Sequence, residues 1–301
     1  MAISRAQLVK ELEPGLNALF GLEYNTYDQE HTEIYDVESS DRAFEEEVML
    51  SGFAEAPTKA EGAGVAYDQA QEVYTARYTN ETVALAFSLT EEAIEDNLYD
   101  KLSARYTKAL ARSMATTKQI KGAAILNNAF TTSIGGDGVA LCSVVHPTLT
   151  GPNLANKLVV DADLTETSLE QALIDIAAFT DERGLKIAVQ GNKLIIPKEL
   201  QFTADRIMKS TLRVGTADND INAVRNMGMV PQGYSVNHYL TDPDAWFLIT
   251  DAPNGMKMFD RVSLSTGFEG EFNTGNMRYK ARERYSFGFS DPRGIFGSSG
   301  S

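Results

Sequence analysis

This sequence has few of the residues that build metal and redox sites. It contains one cysteine, Cys142, and three histidines, at positions 31, 146 and 238. One cysteine excludes an internal disulfide framework and a multi-cysteine metal cage. Cys142 and His146 are four residues apart, but the glycine-rich segment 135–138 before them predicts a loop, and the sequence offers no further ligands nearby. We therefore predict an ordinary buried thiol and a loop histidine, and no metal site.

The sequence motifs of nucleotide-binding and hydrolytic enzymes are also missing. There is no Gly-x-x-x-x-Gly-Lys-Ser/Thr, no Gly-x-Gly-x-x-Gly after a predicted strand, and no Gly-x-Ser-x-Gly. Asp218-Asn219-Asp220 resembles the start of a calcium loop, but the glycine and the distal glutamate of such a loop are not at their positions. The residues give no support for an enzyme or a cofactor, and we expect neither.

Long apolar segments are absent as well. No run reaches the roughly 18 apolar residues that a membrane helix needs, and the first residues lack the apolar core of a secretory signal. Hydrophobic residues make up 43% and charged residues 23% of the 301-residue chain, as in globular proteins with a large core. We expect a soluble protein of one large domain or two smaller ones, kept in a reducing cytoplasm, with no membrane partner.

Positive charge is scarce in the first third of the chain. Residues 1–100 contain 5 Lys and Arg against 22 Asp and Glu, whereas residues 101–301 contain 22 against 20. The excess acid behind the net charge of −15 therefore lies in the first hundred residues. Net charge informs about partners rather than about fold. The split predicts that the acidic segment pairs with a basic segment, on the same chain or on another copy of it.

An acidic segment with scattered apolar residues opens the chain. Residues 1–47 contain too many aromatic and aliphatic side chains for a disordered tail, which favours an extended arm lying on a partner. A short helix is predicted near residues 3–12, ended by Pro14-Gly15. Residues 48–89 then predict a long β-hairpin. The tip of the hairpin and its two return strands are predicted at residues 57–64, 67–78 and 82–89.

The strongest predicted helix spans residues 90–129, with Gly122 as a candidate break. Apolar residues recur at helical spacing on one side of it, and a second stripe carries cations. These cations are Lys101, Arg105, Lys108 and Arg112. Acids lead and bases follow along the helix, an order that matches the helix dipole.

The second half of the chain alternates predicted helices and strands. A capping box at residues 167–170 predicts a helix that ends at Gly184, and Pro197 predicts the start of another that ends near residue 210. Asn254-Gly255 predicts a hairpin between the strands on its two sides. The strands are predicted at residues 185–189, 194–196, 234–240, 245–250, 256–264 and 276–290.

The last predicted strand has two different faces, because alternate residues share a face. Its core face is predicted to hold Met277, Tyr279, Ala281, Tyr285, Phe287 and Phe289. Its outer face is predicted to hold Arg278, Lys280, Arg282, Arg284 and Ser286. A row of cations near aromatic residues suits a nucleic-acid binder, but a net charge of −15 disfavours that function.

Four segments carry a resemblance to a known family. They are residues 180–185 (TDERGL), 213–222 (RVGTADNDIN), 237–247 (NHYLTDPDAWF) and 279–288 (YKARERYSFG). Together with the order of the predicted elements, they resemble a subfamily of the major capsid proteins of tailed bacteriophages, whose shell fold is named after phage Hong Kong 97. The resemblance extends over essentially the whole chain.

This resemblance implies an α+β capsid fold with five parts. They are an N-terminal arm (1–47), an extended hairpin called the E-loop (48–89), a peripheral domain with a spine helix (90–159), an axial domain (160–255), and C-terminal strands of the peripheral domain (256–301). The loop with Asp218, Asn219 and Asp220 would approach the symmetry axis of a capsomer. We expect no covalent crosslink from Lys59 at the hairpin tip, since nothing in the sequence fixes the acceptor asparagine and the acid that it needs.

The function implied by the resemblance is self-assembly. Hexamers and pentamers of the chain would form an icosahedral head around packaged double-stranded DNA, in virions assembled in the host bacterial cytoplasm. Arm-like sequence begins within the first turns, so we expect a separate scaffold protein, with a portal protein at one vertex and a possible decoration protein. The residues expected to contact neighbouring copies are Glu45, Glu46, Glu47, Lys59, the helix stripe 101–112 and the strand cations 278–284.

Two alternatives stay open at the level of the sequence. An encapsulin-type shell, which encloses cargo enzymes, would share the fold, and fold alone does not separate the two functions. A DNA-binding module is a function of another class, and it predicts steeply salt-dependent binding by the dispersed subunit. An enzyme ranks third.

Overall fold

The computed structural model describes residues 5–90, 92, 99–213, 220–271 and 274–300, which form a mixed α and β fold. Its α-helices are α1 (Arg5–Tyr24), α2 (Tyr99–Asn127), α3 (Glu166–Ala177), α4 (Gln201–Lys209) and α5 (Ala223–Met227). Its strands are β1 (Asp36–Ser39), β2 (Phe44–Leu50), β3 (Glu72–Thr79), β4 (Glu81–Leu89), β5 (Gly191–Ile196), β6 (Tyr234–Val236), β7 (Trp246–Thr250), β8 (Met256–Gly270), β9 (Met277–Phe289) and β10 (Ile295–Ser298). Short 3-10 turns lie at Glu30–Glu33, Lys198–Leu200 and Pro292–Gly294.

The first sheet has the strand order β1-β8-β9-β4, and helices cover one of its faces. β9 pairs antiparallel with both β8 and β4, and β1 pairs parallel with the start of β8. Leu16 and Phe20 of α1 and Met114 of α2 are buried against Tyr279 and Ala281 of β9. The buried face of β9, which repeats every two residues, and the apolar faces of α1 and α2, which repeat at helical spacing, thus pack in one core.

The second sheet has the strand order β10-β7-β5-β6 and is buried on both faces. Trp246 and Leu248 of β7 enter a core formed with α3 and α4. Phe247, between them, enters a second core with Leu126 of α2 and Met258 of β8. This second core joins the two sheets.

The hairpin of β2 and β3 forms a separate two-stranded sheet, from which the loop 51–71 extends. Arg183 fastens the base of this loop. Its Nη1 lies 3.1 Å from Asp68 Oδ2, and its Nη2 donates to the carbonyl of Gln69 at 2.6 Å. Hydrogen bonds from the backbone amides of Ala54 and Gln69, with the nearby guanidinium of Arg183, hold the pKa of Asp68 below its usual value.

Several predicted elements differ from the observed ones at the N-terminal end. The short helix predicted within the N-terminal arm is wrong: α1 continues through Pro14-Gly15 to Tyr24, since burial of Leu16 and Phe20 offsets the hydrogen bond lost at proline. The second return strand, β4, pairs with β9 and does not extend the hairpin. Gly122 does not end α2. It allows close packing instead, because a Cβ there would lie 3.2 Å from His31 Cβ.

The C-terminal half shows further corrections. The predicted hairpin at Asn254-Gly255 is wrong, because β7 pairs with β5 and β10 whereas β8 pairs with β1 and β9. The Asn-Gly pair instead carries the chain from one sheet to the other. The helix predicted up to Gly184 already ends at Ala177, and its capping box is formed by Thr165 and Ser168.

Strand bounds also shift in this half. Residues 185–189 form only an isolated bridge, through Lys186, and β6 ends at Val236. β8 continues to Gly270, and β10 was not predicted. The helix after Pro197 is confirmed. Most of residues 90–98, where the long helix was predicted to start, lie outside the described residues.

The described part of the chain has neither a membrane-spanning helix nor a cluster of metal-binding side chains. No helix there is long and apolar enough to cross a membrane. No group of three or more His, Cys, Asp or Glu side chains in the same residues is arranged to hold a metal ion.

Candidate assembly surfaces

The outer face of the first sheet carries the cations predicted in the last strand. Arg278, Lys280 and Arg282 of β9 are exposed, and we call these three residues the basic row. Tyr279 and Ala281, between them, are fully buried under α1 and α2. The alternation over residues 277–282 is therefore confirmed.

The outer face closes beyond Arg282, which corrects the prediction for the next two outward residues. Arg284 is only partly exposed, and Ser286 is buried. The hydroxyl of Ser286 donates to Asn80 Oδ1 at 3.1 Å, and Asn80 in turn donates to the hydroxyl of Ser40. The chain between β3 and β4 and the end of β1 thus cover this end of β9.

Small neutral residues flank Lys280 and Arg282 of the basic row on both sides. On β4, Ser88, Ala86 and Ala84 are the register partners of Arg278, Lys280 and Arg282, and all three are exposed. On β8, Gly267 pairs with Lys280 and Ser265 pairs with Arg282. Lys280 and Arg282 therefore stand on a flat face without opposing acids, whereas Arg278 has the exposed Glu269 of β8 as its register partner.

Within the basic row, the three cations differ in their intramolecular partners. Arg278 forms a salt bridge with Glu271 beyond the end of β8. Among the described residues, no salt bridge involves Lys280 or Arg282. These two are the cations of the row that remain available to a partner.

Glu283 is a buried charged residue that the face assignment of β9 omitted. It lies on the covered face and is 1% exposed. Its Oε2 accepts a hydrogen bond from the hydroxyl of Tyr24 of α1 at 3.4 Å and lies 3.5 Å from Lys118 Nζ of α2. Burial raises the pKa of Glu283, against the opposing effect of Lys118. Odd-numbered residues of β9 face the core, so the position of Glu283 in the alternation was the signal that could have predicted its burial.

The predicted helix stripe is partly used inside the chain. Lys108 of α2 lies 3.4 Å from Glu23 of α1, so this pair helps to hold the two helices together. Arg105 and Arg112 are exposed. The side chain of Lys101 lies outside the described residues.

The predicted acidic contacts line an open cleft of about 520 Å³ beside β1 and β2. We call it the acidic cleft; its lining residues are Glu38, Ser39, Ser40, Asp41, Arg42, Glu45, Glu46, Glu47 and Phe259. Lys257, which is nearly buried, pairs with both Glu38 and Glu47. Glu45 accepts a hydrogen bond from the hydroxyl of Ser40 at 2.7 Å, and Glu46 lies 3.7 Å from Arg77.

A sequence model described as phage capsid protein matches residues 72–297, about three quarters of the chain. The chain belongs to the phage capsid protein family. The match confirms the resemblance seen in the sequence. Capsid proteins of this family form the shell of the virion. Comparison with curated proteins gave no match.

Solved capsid structures share the fold of this capsid protein at low sequence identity. A virus-like particle from Pyrococcus furiosus is 12% identical, with a TM-score of 0.55 over 94% of this chain and 97% of that one. The procapsid of bacteriophage JBD30 is 15% identical, with a TM-score of 0.52 over 99% and 77%. The capsid of an empty GTA particle is 15% identical, with a TM-score of 0.51 over 90% and 89%. The Hong Kong 97-type shell fold is therefore confirmed.

Many acids of the first third of this capsid protein find partners in the same subunit. Glu33 lies 2.6 Å from Lys193, and Asp68 lies 3.1 Å from Arg183. Like Glu23, Glu38 and Glu47, these acids pair with cations from later in the chain. The charge split therefore serves the fold of one subunit in part, and is not wholly left for neighbouring copies.

The remaining predicted contacts lie on loops of the capsid protein. Lys59 is exposed on the loop 51–71. Asp220 is exposed, and its carbonyl accepts a hydrogen bond from the amide of Arg213 at 2.8 Å. Asp218 and Asn219 lie outside the described residues. Their contacts with neighbouring copies stay predictions.

Proposed function

We propose that this capsid protein assembles into the hexamers and pentamers of an icosahedral head that encloses phage double-stranded DNA. The observation that carries this proposal is the family match over residues 72–297. The shared fold of capsid structures supports it. Closed shells of one protein need contacts that repeat under symmetry, and two exposed surfaces of the subunit suit such contacts.

The hairpin and its loop form the first of these surfaces. They expose large apolar side chains although they extend from the body of the subunit. These side chains are Phe44, Val48, Leu50, Phe53, Val65 and Tyr67. Exposed apolar surface of this kind marks a contact site, and we assign it to neighbouring copies, with Lys59 and Glu45–Glu47 at its border.

The segment around α4 and α5 forms the second surface. Phe202, Leu212, Ile221 and Met227 are exposed there, on both sides of residues 213–220. We propose that this segment, with the loop of Asp218, Asn219 and Asp220, lies at the capsomer axis. Burial of these apolar side chains against symmetry-related copies would stabilise the capsomer.

The other partners follow from the same function. We propose a separate scaffold protein, a portal protein at one vertex and a decoration protein, with assembly in the host cytoplasm and no catalytic role. Packaged DNA would be held without sequence specificity. The net charge of −15 supports this, because an acidic shell avoids tight adhesion to the genome.

An encapsulin-type shell is the second candidate function. A virus-like particle from Pyrococcus furiosus has the same fold, which suits an encapsulin-type shell and a phage head equally. The match to the phage capsid protein family favours a phage head. The contents of purified particles separate the two, because a head holds genome-length DNA whereas an encapsulin holds protein cargo.

Electron microscopy of the protein expressed with its scaffold tests the proposed function. We expect closed shells of uniform size. Dispersed subunits under all conditions, with steeply salt-dependent DNA binding, would instead support the DNA-binding module.

A further inference from the structure

The basic row occupies a sheet face that the subunit itself does not cover. The opposite face of β9 packs on α1 and α2, through Tyr279 and Ala281. On the outer face, Lys280 and Arg282 are exposed and have no salt bridge among the described residues. An exposed row of like charges is unfavourable in the isolated subunit, so a partner of opposite charge would relieve it.

The shape of this face suits an extended partner. Alternate residues of a strand are about 7 Å apart, so the cations are evenly spaced along β9. Ala84 and Ala86 flank them on one side, and Ser265 and Gly267 on the other. The stem of Lys280 lies across Gly267, where a Cβ would meet Lys280 Cε at 3.0 Å. The small flanking residues leave the charged groups of Lys280 and Arg282 accessible.

A complementary surface exists on the same chain but does not meet the basic row within one subunit. The acidic cleft contains five carboxylates, from Glu38, Asp41, Glu45, Glu46 and Glu47. Their salt bridges within the described residues are made with Arg42, Arg77 and Lys257, which leaves an excess of negative charge. Glu46 is exposed and Glu45 partly exposed on the hairpin, and neither pairs with Lys257.

We propose that the basic row of one capsid subunit docks onto the acidic cleft of a second copy. The proposal rests on the proposed shell function, and it names the partner of one face. Charge complementarity selects the second copy over DNA, because the remainder of the subunit is acidic and repels a polyanion. Such pairs mainly set register and partner choice between subunits.

Charge reversal in both surfaces tests the docking. We expect Lys280→Glu/Arg282→Glu to raise the subunit concentration needed for shell assembly at least about tenfold, as measured by light scattering and electron microscopy with the scaffold. Glu45→Lys/Glu46→Lys should have a similar effect. The variant that combines all four changes should recover assembly, because the two charges are exchanged across the contact.

Three controls keep the test specific. Thermal unfolding followed by circular dichroism verifies that each variant subunit is folded. If Glu45→Lys/Glu46→Lys does not fold, Glu45→Gln/Glu46→Gln takes its place. Lys186→Glu/Lys198→Glu reverses two exposed cations outside the surfaces assigned to neighbouring copies and should leave assembly nearly unchanged. Added salt should weaken assembly of the wild type more than that of Lys280→Ala/Arg282→Ala.

Several outcomes would overturn the docking. Normal shells from Lys280→Glu/Arg282→Glu would remove the role of the basic row. Failure of the combined variant to recover, while the single surfaces each lose assembly, would exclude the acidic cleft as the partner. Normal assembly with weaker DNA retention would reassign the basic row to the genome. Absence of shells from the wild type would instead contradict the proposed function.

Discussion

The two sheets of this capsid protein differ in how many of their faces are buried. In the second sheet, Leu194 and Ile196 of β5 enter one core and Ile195 enters the other, so both faces are covered. In the first sheet, β9 buries one face and exposes Lys280 and Arg282 on the other. A sheet buried on both faces holds the subunit together, whereas a one-sided sheet has a face that can serve a partner without disturbing the core.

The largest expected effect concerns the ion cluster between the sheets. Arg293 is 2% exposed, and its guanidinium lies 2.8 Å from Glu182 Oε1 and 3.2 Å from Asp291 Oδ1. Arg293→Ala would leave two buried carboxylates without their cation, so we expect the free energy of unfolding to fall by about 3–5 kcal/mol. Urea unfolding followed by the fluorescence of Trp246, the only tryptophan, measures this.

Arg282→Ala is the matched control for this cluster. It removes an arginine from the exposed face and should change the free energy of unfolding by no more than about 0.5 kcal/mol. Similar effects for the two arginines would contradict the division into a buried junction and an open face.

The second comparison removes the same side chain from each sheet. Leu248 of β7 is fully buried, whereas Leu85 of β4 is 48% exposed. Leu248→Ala should lower the free energy of unfolding by about 3 kcal/mol, because it leaves a cavity in a packed core. Leu85→Ala should lower it by less than about 1 kcal/mol. Urea titration of the two variants checks the difference, and equal losses would show that Leu85 on the edge strand β4 is as tightly packed as Leu248.

A pH-dependent effect is expected where the N-terminal part packs on α2. Burial, with the nearby charge of Lys118, lowers the pKa of His31 to about 4. The unfolded chain therefore binds a proton below about pH 6.5 that the folded subunit does not bind until pH 4. This contribution to stability is present above pH 6.5 and is lost as the pH falls, by about 2–3 kcal/mol between pH 7 and pH 4.5.

The variant His31→Gln isolates this contribution from the carboxylates that titrate in the same range. As the pH falls, the free energy of unfolding of the wild type should decrease more than that of the variant. Parallel pH profiles for the two proteins would show that His31 is hydrated.

How much of the fold follows from sequence depends on whether a feature is local. The alternation in β9 was readable because one face is covered and the other is open. The hairpin predicted at Asn254-Gly255 failed because the pairing of β7 and β8 is decided by strands far away in sequence. α1 passes through Pro14-Gly15 for a similar reason, since its stability comes from packing on α2 and β9.

The candidate site was predicted in part for the same physical reason. The sign and position of the exposed cations were predictable from the sequence. The pairs of charges that meet within one subunit were not. Lys108 and Glu47 are engaged with Glu23 and Lys257 through contacts that cross more than 80 residues of chain. Lys280 and Arg282 are the exposed cations of β9 without a salt bridge among the described residues, which only the fold reveals.

The smallest expected effect separates the assembly role of the basic row from any role in folding. Lys280→Ala/Arg282→Ala removes two neighbouring like charges from a face without opposing acids, so the free energy of unfolding should stay the same or rise by at most about 0.5 kcal/mol. Tyr279→Ala, on the covered face of the same strand, should lower it by about 3–5 kcal/mol. A clear loss of stability in the double variant would mean that these cations support the subunit itself, and the outer face would then no longer be free to serve a neighbouring copy.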